Sequence, residues 1–99
     1  MLESVAGFDW AEGNLEKCQK HGVSIGEIEA LLSSDPGVAP DPMHSAQEDR
    51  LIAVGRNAAG RPLFVALTFR MKDDQRLIRP VSARYMHEKE IAGYETQGP

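Results

Sequence analysis

The sequence predicts one α+β domain in which an antiparallel β-meander is packed by an N-terminal helical hairpin and a C-terminal helix, and three observations carry that prediction. The first is size: 99 residues, 41% of them hydrophobic and 26% charged, suffice for a single hydrophobic core but not for two, so residues 1–99 are taken as one domain. The second is a change of period, since apolar residues recur at helical spacing up to about residue 33 and alternate with a period of two from Arg50 onward. The third is the placement of turn-forming residues, which divide the second half of the chain into three runs of strand length.

Asp9 with Glu12 three residues later has the form of a capping box, and Trp10, Leu15 and Cys18 keep approximate helical spacing. Together they predict a first helix over about residues 10–20. Gly22 ends it by taking the left-handed conformation. Ser24 with Glu27 forms a second capping box, and Ile25, Ile28, Leu31 and Leu32 make one apolar stripe, which predicts a second helix over about residues 24–33. The following SSDPGVAPDPMHSAQED holds three prolines and a glycine. It predicts a mobile loop with one short edge strand around Val38.

Three strands come next, RLIAVGR at 50–56, RPLFVALTFR at 61–70 and RLIRPVSA at 76–83, joined by NAAG at 57–60 and MKDDQ at 71–75. With both hairpins tight, Ile52, Val54, Leu63, Val65, Leu67, Phe69, Leu77 and Val81 share the face on which helices pack. Ala53, Gly55, Phe64, Ala66, Thr68, Arg70, Ile78 and Ser82 take the other face, whose small, hydroxylated and cationic residues suit a ligand or a partner. In this register Arg79 falls on the apolar side. A last helix over about residues 84–95 and a disordered tail at 96–99 close the domain.

Composition excludes several classes of function. No apolar run approaches the roughly 20 residues that span a bilayer, and MLESVAGFDW has neither the basic nor the apolar region of a secretory signal. A cytoplasmic protein without membrane contact is expected. Cys18 is the single cysteine and reads as an inert, half-buried helix residue. Asp41, His44 and Glu48 share a loop, but two or three such residues in this spacing are poor evidence for a metal site, so neither metal nor cofactor is expected. The net charge of −4 is unevenly spread: residues 1–45 hold eight acids against Lys17 and Lys20, whereas residues 46–99 hold nine lysines and arginines against seven acids. Such an asymmetry can place a local cationic groove on an acidic protein.

Taken in order, FDW at 8–10, KHGVS at 20–24, Asp41 and His44, the EDR of 48–50, AVGR at 53–56, GRPLFVALTFR at 60–70, IRPVSAR at 78–84 and the segment from Glu90 to Tyr94 resemble the BrnT-type toxin family of bacterial type II toxin–antitoxin systems. The resemblance covers nearly the whole chain. It implies a RelE-like small ribonuclease fold and metal-independent RNA cleavage that inhibits translation. It also implies a BrnA-type antitoxin partner in a 2:2 complex, with DNA reached only through the antitoxin's DNA-binding domain.

Metal-free RNA cleavage uses the neighbouring 2′-hydroxyl as nucleophile and needs a base, cations around the phosphorus and a proton donor at the 5′ oxygen. Arginine suits the middle task because its planar fork stays charged and grips two phosphate oxygens. Arg70 and Arg84 are the first phosphate contacts and, with Lys20 and His21, the catalytic candidates. Arg56, Arg79, Thr68 and Ser82 are the RNA-binding candidates. Bland explanations stand beside these roles: Lys20 and His21 also suit the carbonyl end of a helix dipole, and Arg79 also suits a structural ion pair. Tyr85 and Tyr94 are candidate base-stacking residues, with packing on the sheet the favoured role for Tyr94 and core packing for Trp10. The acidic balance favours a second reading, a catalytically weak or inactive toxin-like module that pairs with an antitoxin and co-represses its operon.

Overall fold

The computed structural model describes residues 5–34, 36–41 and 50–95, and within them the α+β architecture is present as three helices and a five-stranded mixed sheet. The elements are β1 (Gly7–Phe8), α1 (Glu12–Gln19), α2 (Ile25–Ser33), β2 (Val38–Pro40), β3 (Leu51–Arg56), β4 (Pro62–Lys72), β5 (Gln75–Tyr85) and α3 (Glu88–Glu95). Strand order across the sheet is β1-β5-β4-β3-β2. The predicted meander is β3-β4-β5, and β2 is the edge strand expected near Val38. β1 was not expected; it lies parallel to β5, with Gly7 opposite Leu77 and Phe8 opposite Ile78. Among the described residues no helix is long and apolar enough to cross a membrane. His44, Glu48 and the 96–99 tail lie outside the described residues.

The helix boundaries follow from local hydrogen bonding. Ala11 rather than Asp9 caps α1, because the Ala11 N–H donates to Asn14 Oδ1 at 2.7 Å, while the Asp9 carboxylate is drawn to Arg79. Asn14 and Cys18 are the residues that α1 buries, one turn apart, and Leu15 is left at the surface. The expected stripe therefore holds at Trp10 and Cys18 and fails at Leu15, whose place is taken by Asn14. Gly22 has φ +89°, the left-handed stop that the sequence predicts. At α2 the predicted capping box is complete: the Glu27 N–H donates to Ser24 Oγ at 3.1 Å and the Ser24 N–H to Glu27 Oε1 at 3.0 Å. α3 begins later than expected, at Glu88, because β5 continues to Tyr85 in pairing with Leu63.

α1 and α2 pack on one sheet face, where Cys18, Val23, Ile28, Leu31 and Leu32 meet Ala53, Leu63, Val65, Leu67, Ile78 and Ala83 in a single core. Cys18 is fully buried rather than half-buried. Loss of solvent pushes its thiol up to about 11. α3 lies against the opposite face, with the Tyr94 ring edge-on to Phe64 at 6.5 Å between centroids.

Two local irregularities correct the predicted faces. The β3–β4 connection has five residues rather than four, because Asn57 Oδ1 accepts from the N–H groups of both Ala59 and Arg61 and draws Arg61 into the loop. Arg56 consequently pairs with Pro62. This one-residue shift turns Ala53 and Gly55 to the helix-covered face and Ile52 and Val54 to the other. In β5, Ser82 pairs with Ala66 but Pro80 pairs with Leu67, so Val81 is the extra residue of a β-bulge. Proline, which has no N–H to give a ladder, is tolerated at such a point. The bulge reverses the alternation before it: Ile78 enters the core, Leu77 and Arg79 turn to the opposite face, and Ser82 keeps its expected side.

Candidate functional site

α3 stands over the end of the second sheet face that carries Phe64 and Arg84. The other end forms an open groove of about 340 Å³. Its floor is a row across three strands. Thr68 of β4 lies opposite Arg79 of β5, and extending the β3–β4 register by one residue beyond the Leu51–Leu67 pair puts Arg50 on the other side of Thr68. Arg70, two residues further along β4 and on the same face, is exposed at the rim. Gly13, Asn14 and Lys17 of α1 form the remaining wall, beside Val81 of the bulge.

Two of these side chains, Asn14 and Arg79, are positioned by identifiable contacts. Asn14, almost fully buried, donates its amide to the Pro80 carbonyl at 2.8 Å and to the Asp9 carbonyl at 3.0 Å. It therefore pins the start of α1 to β5 beside the bulge. Lys17 follows one turn later on the same wall. Arg79 donates to Asp9 Oδ2 at 3.0 Å, and both side chains are largely withdrawn from solvent. The carboxylate partner that the sequence reading asked of Arg79 is thus present, on the face opposite to the one expected. Asp41 N–H donates to the Arg50 carbonyl at 3.0 Å and extends the β2–β3 pairing to the groove's edge. Lys17 and Arg70 form no salt bridge with any described residue.

The structure thus brings Thr68, Arg70 and Arg79 together and adds Lys17, Arg50 and Asn14, which the sequence reading had missed. The spacing of Gly13 and Lys17, four residues apart on a helix, and the position of Arg50 at the head of a strand pattern were the signals available. Ser82 lies further along β5, opposite Ala66 on the same face. Arg84 is opposite Phe64, its guanidinium 4.4 Å from the ring centroid, and both arms of its fork hold Glu90, at 3.0 and 2.7 Å. These hydrogen bonds raise the Arg84 pKa and lower that of Glu90. Arg56 is held in the same way by Glu88, at 2.9 and 3.0 Å, and also donates to the Gly60 carbonyl.

Lys20 and His21 stand exposed at the far end of α1, and neither lines the groove. They precede Gly22, whose carbonyl accepts from the Tyr85 hydroxyl at 3.4 Å. That hydroxyl also bonds Glu27 at 2.9 Å, and the Tyr85 ring packs against the helix-covered core. Glu27 collects three kinds of donor, and its pKa is lowered to about 2, chiefly by Asn57, then by the Ser24 N–H, with Tyr85 adding to them. Trp10 packs on the core as expected and donates from its indole to Glu29 at 2.8 Å.

An anion with two free oxygens is the ligand that several guanidinium groups around a shallow, hydroxyl-bearing floor suit best. Among the described residues the groove lining contains no His, Asp or Glu. The described lining thus offers phosphate binding and charge stabilisation. A family model described as "Ribonuclease toxin, BrnT, of type II toxin-antitoxin system" matches residues 10–90. No curated protein matches the chain.

Proposed function

The chain belongs to the BrnT family of ribonuclease toxins of type II toxin–antitoxin systems, and on that premise we propose that it cleaves RNA at the arginine groove, without a metal ion, and so inhibits translation in the cytoplasm. Arg70 and Arg79, with Arg50 and the Thr68 hydroxyl, hold the non-bridging oxygens of one phosphate. The adjacent 2′-hydroxyl gives its proton to solvent water as its oxygen attacks the phosphorus, a 2′,3′-cyclic phosphate forms, and the bond to the 5′ oxygen breaks as that oxygen takes a proton from water. The guanidinium groups stabilise the charge that grows on the equatorial oxygens, and Arg79, held by Asp9, is in place before it appears. Lys17 steers the next phosphate. The observation that carries this reading is the convergence of Lys17, Arg50, Arg70 and Arg79 on one groove of a protein whose net charge is −4.

Membership of a type II system implies an antitoxin partner. In this proposal the partner is of the BrnA type, carries the DNA-binding domain, covers the groove and assembles with the toxin as a 2:2 complex. DNA is contacted only through it.

Cleavage of a long RNA by the purified chain in EDTA at low salt tests the nuclease reading. Arg70→Ala is expected to lose about 100-fold or more, the scale for removing one preorganised oxyanion contact. His21→Ala, altered outside the groove, is expected to stay within a few-fold of wild type. Full activity in Arg70→Ala would remove the groove from the reaction, and loss in His21→Ala alone would move the chemistry to the end of α1.

A second reading, a toxin-like module with weak or no catalysis that pairs with an antitoxin and co-represses its operon, is favoured by one observation. The arginines Arg56, Arg79 and Arg84 already hold Glu88, Asp9 and Glu90. Tight antitoxin binding by a chain that leaves RNA intact under all conditions would select it.

A further inference from the structure

We propose that the Arg84–Glu90 pair, with the Arg84 guanidinium over the Phe64 ring, is a stacking platform for a nucleobase of single-stranded RNA; the proposal rests on the groove being the RNA site. Arg84 differs from the groove arginines in what it has left to offer. Both arms of its fork are filled by the Glu90 carboxylate, at 3.0 and 2.7 Å. A phosphate approaching those arms would meet a carboxylate first. What remains is the flat face of the guanidinium: one side rests on Phe64 at 4.4 Å, and 41% of the Arg84 side chain is exposed. A planar ion pair backed by an aromatic ring has little net charge and a broad polarisable surface, and bases stack on such arginine planes in single-stranded RNA.

Position supports the assignment. Two other arginines lie over rings, Arg61 over Tyr85 and Arg76 over Phe69. Both of those rings pack against the helix-covered core. Arg84, by contrast, shares its face with Ser82, Thr68 and Arg79. Along β5, Arg84 and Arg79 are roughly 15 Å apart at the usual rise per strand residue, within reach of a short single-stranded segment whose phosphate sits in the groove. Glu90 is a positioning residue here, since it fixes the plane of the guanidinium without touching the base. Tyr94, edge-on to Phe64, holds the supporting ring from the side.

The test uses two probes, an uncleavable 2′-O-methyl RNA hexamer and a hexamer of abasic spacers with the same number of phosphates, with binding followed by fluorescence anisotropy. Wild type is expected to favour the base-bearing probe by at least about fivefold, the low end of the contribution of one stacked base. Arg84→Gln, flat but neutral, should keep that preference. Arg84→Lys, charged but not planar, should lose it while its affinity for the abasic probe changes little. A phosphate contact would give the reverse order, with lysine outperforming glutamine on both probes, and would overturn the platform. Should either variant fail to fold by circular dichroism, Phe64→Leu removes the supporting ring instead and is expected to abolish the preference. Equal binding of both probes by wild type, with Arg70→Ala weakening both, sinks the platform and leaves the groove standing. Binding of neither probe by wild type sinks both.

Discussion

Arg70→Ala should flatten the salt dependence of RNA binding by an amount that the groove's own cations set. Each cation brought against the backbone of a single strand displaces condensed counterions and contributes about −0.7 to the slope of log K against log salt. Four cations line the groove, Lys17, Arg50, Arg70 and Arg79, so the wild-type slope is at most about −2.8. A rise from 50 to 200 mM salt then weakens binding by at most about 50-fold in wild type and at most about 20-fold in Arg70→Ala, whose limit falls to about −2.1. Asp9 supplies a second arm to the experiment. If its carboxylate stays on Arg79 while RNA is bound, the limit for wild type falls to about −2.1, and Asp9→Asn steepens the slope from the wild-type value by up to about 0.7. Anisotropy titrations of a 2′-O-methyl RNA at several salt concentrations give these slopes directly. An Arg70→Ala variant that folds and binds with an unchanged slope would show that phosphate is held elsewhere, and the groove would lose its role.

Four further outcomes follow from contacts that hold the fold together. Glu27→Gln removes the charged acceptor shared by the Ser24 N–H, Asn57 and Tyr85, and should lower stability by about 1–3 kcal/mol, read from the urea midpoint; a change below about 0.5 kcal/mol would count against the network. Because folding lowers the Glu27 carboxyl from 4.5 to about 2, its stabilisation is complete above pH 4.5 and drains away as pH falls towards 2, so the gap between wild type and Glu27→Gln should narrow over that window; a gap that stays constant would refute the assignment. Asn14→Ala leaves the Pro80 and Asp9 carbonyls without their donor and should cost about 1–3 kcal/mol together with some RNA affinity, whereas an unaltered urea midpoint would mean that Asn14 does not hold α1 in place. Cys18, buried with its thiol pushed up to about 11, should resist a thiol reagent at pH 8 in the native chain and react at once in urea; rapid labelling of folded protein would contradict its place in the core.

Much of this fold was legible in the sequence because long-range structure was written in local chemistry. The Ser24–Glu27 box, the Gly22 stop and the apolar stripe of α2 all appear where the residues place them. The alternation within β4 is also correct, from Leu63 to Arg70. What failed was parity between strands. A five-residue loop built on Asn57 looks like a four-residue one until its hydrogen bonds are known, and a bulge at Val81 leaves no mark in an alternating pattern beyond the proline before it. β1 is too short to carry a period at all. The site was half legible for the same reason. Thr68 and Arg70 lie on the strand whose faces were read correctly, whereas Lys17 and Arg50 join them only through tertiary placement of α1 and the head of β3. The Arg84–Glu90 and Arg56–Glu88 pairs depend on where α3 begins, which the helical pattern at residues 84–95 had set too early.

The extra residue at Val81 means that β5 is read in two frames. Upstream of it the odd-numbered Arg79 looks out of the groove face and the even-numbered Ile78 looks into the core; downstream the even-numbered Ser82 and Arg84 look out and Ala83 looks in. Straightening the strand with that residue kept, so that Val81 pairs with Leu67, would carry Arg79 inward opposite Phe69 and Ile78 outward opposite Arg70. Half of the strand would exchange its charged lining for its core. A one-residue gap at this point in a related chain would leave both faces as they are, whereas a chain of the same length without the bulge would exchange a cationic side chain for an aliphatic one in the groove.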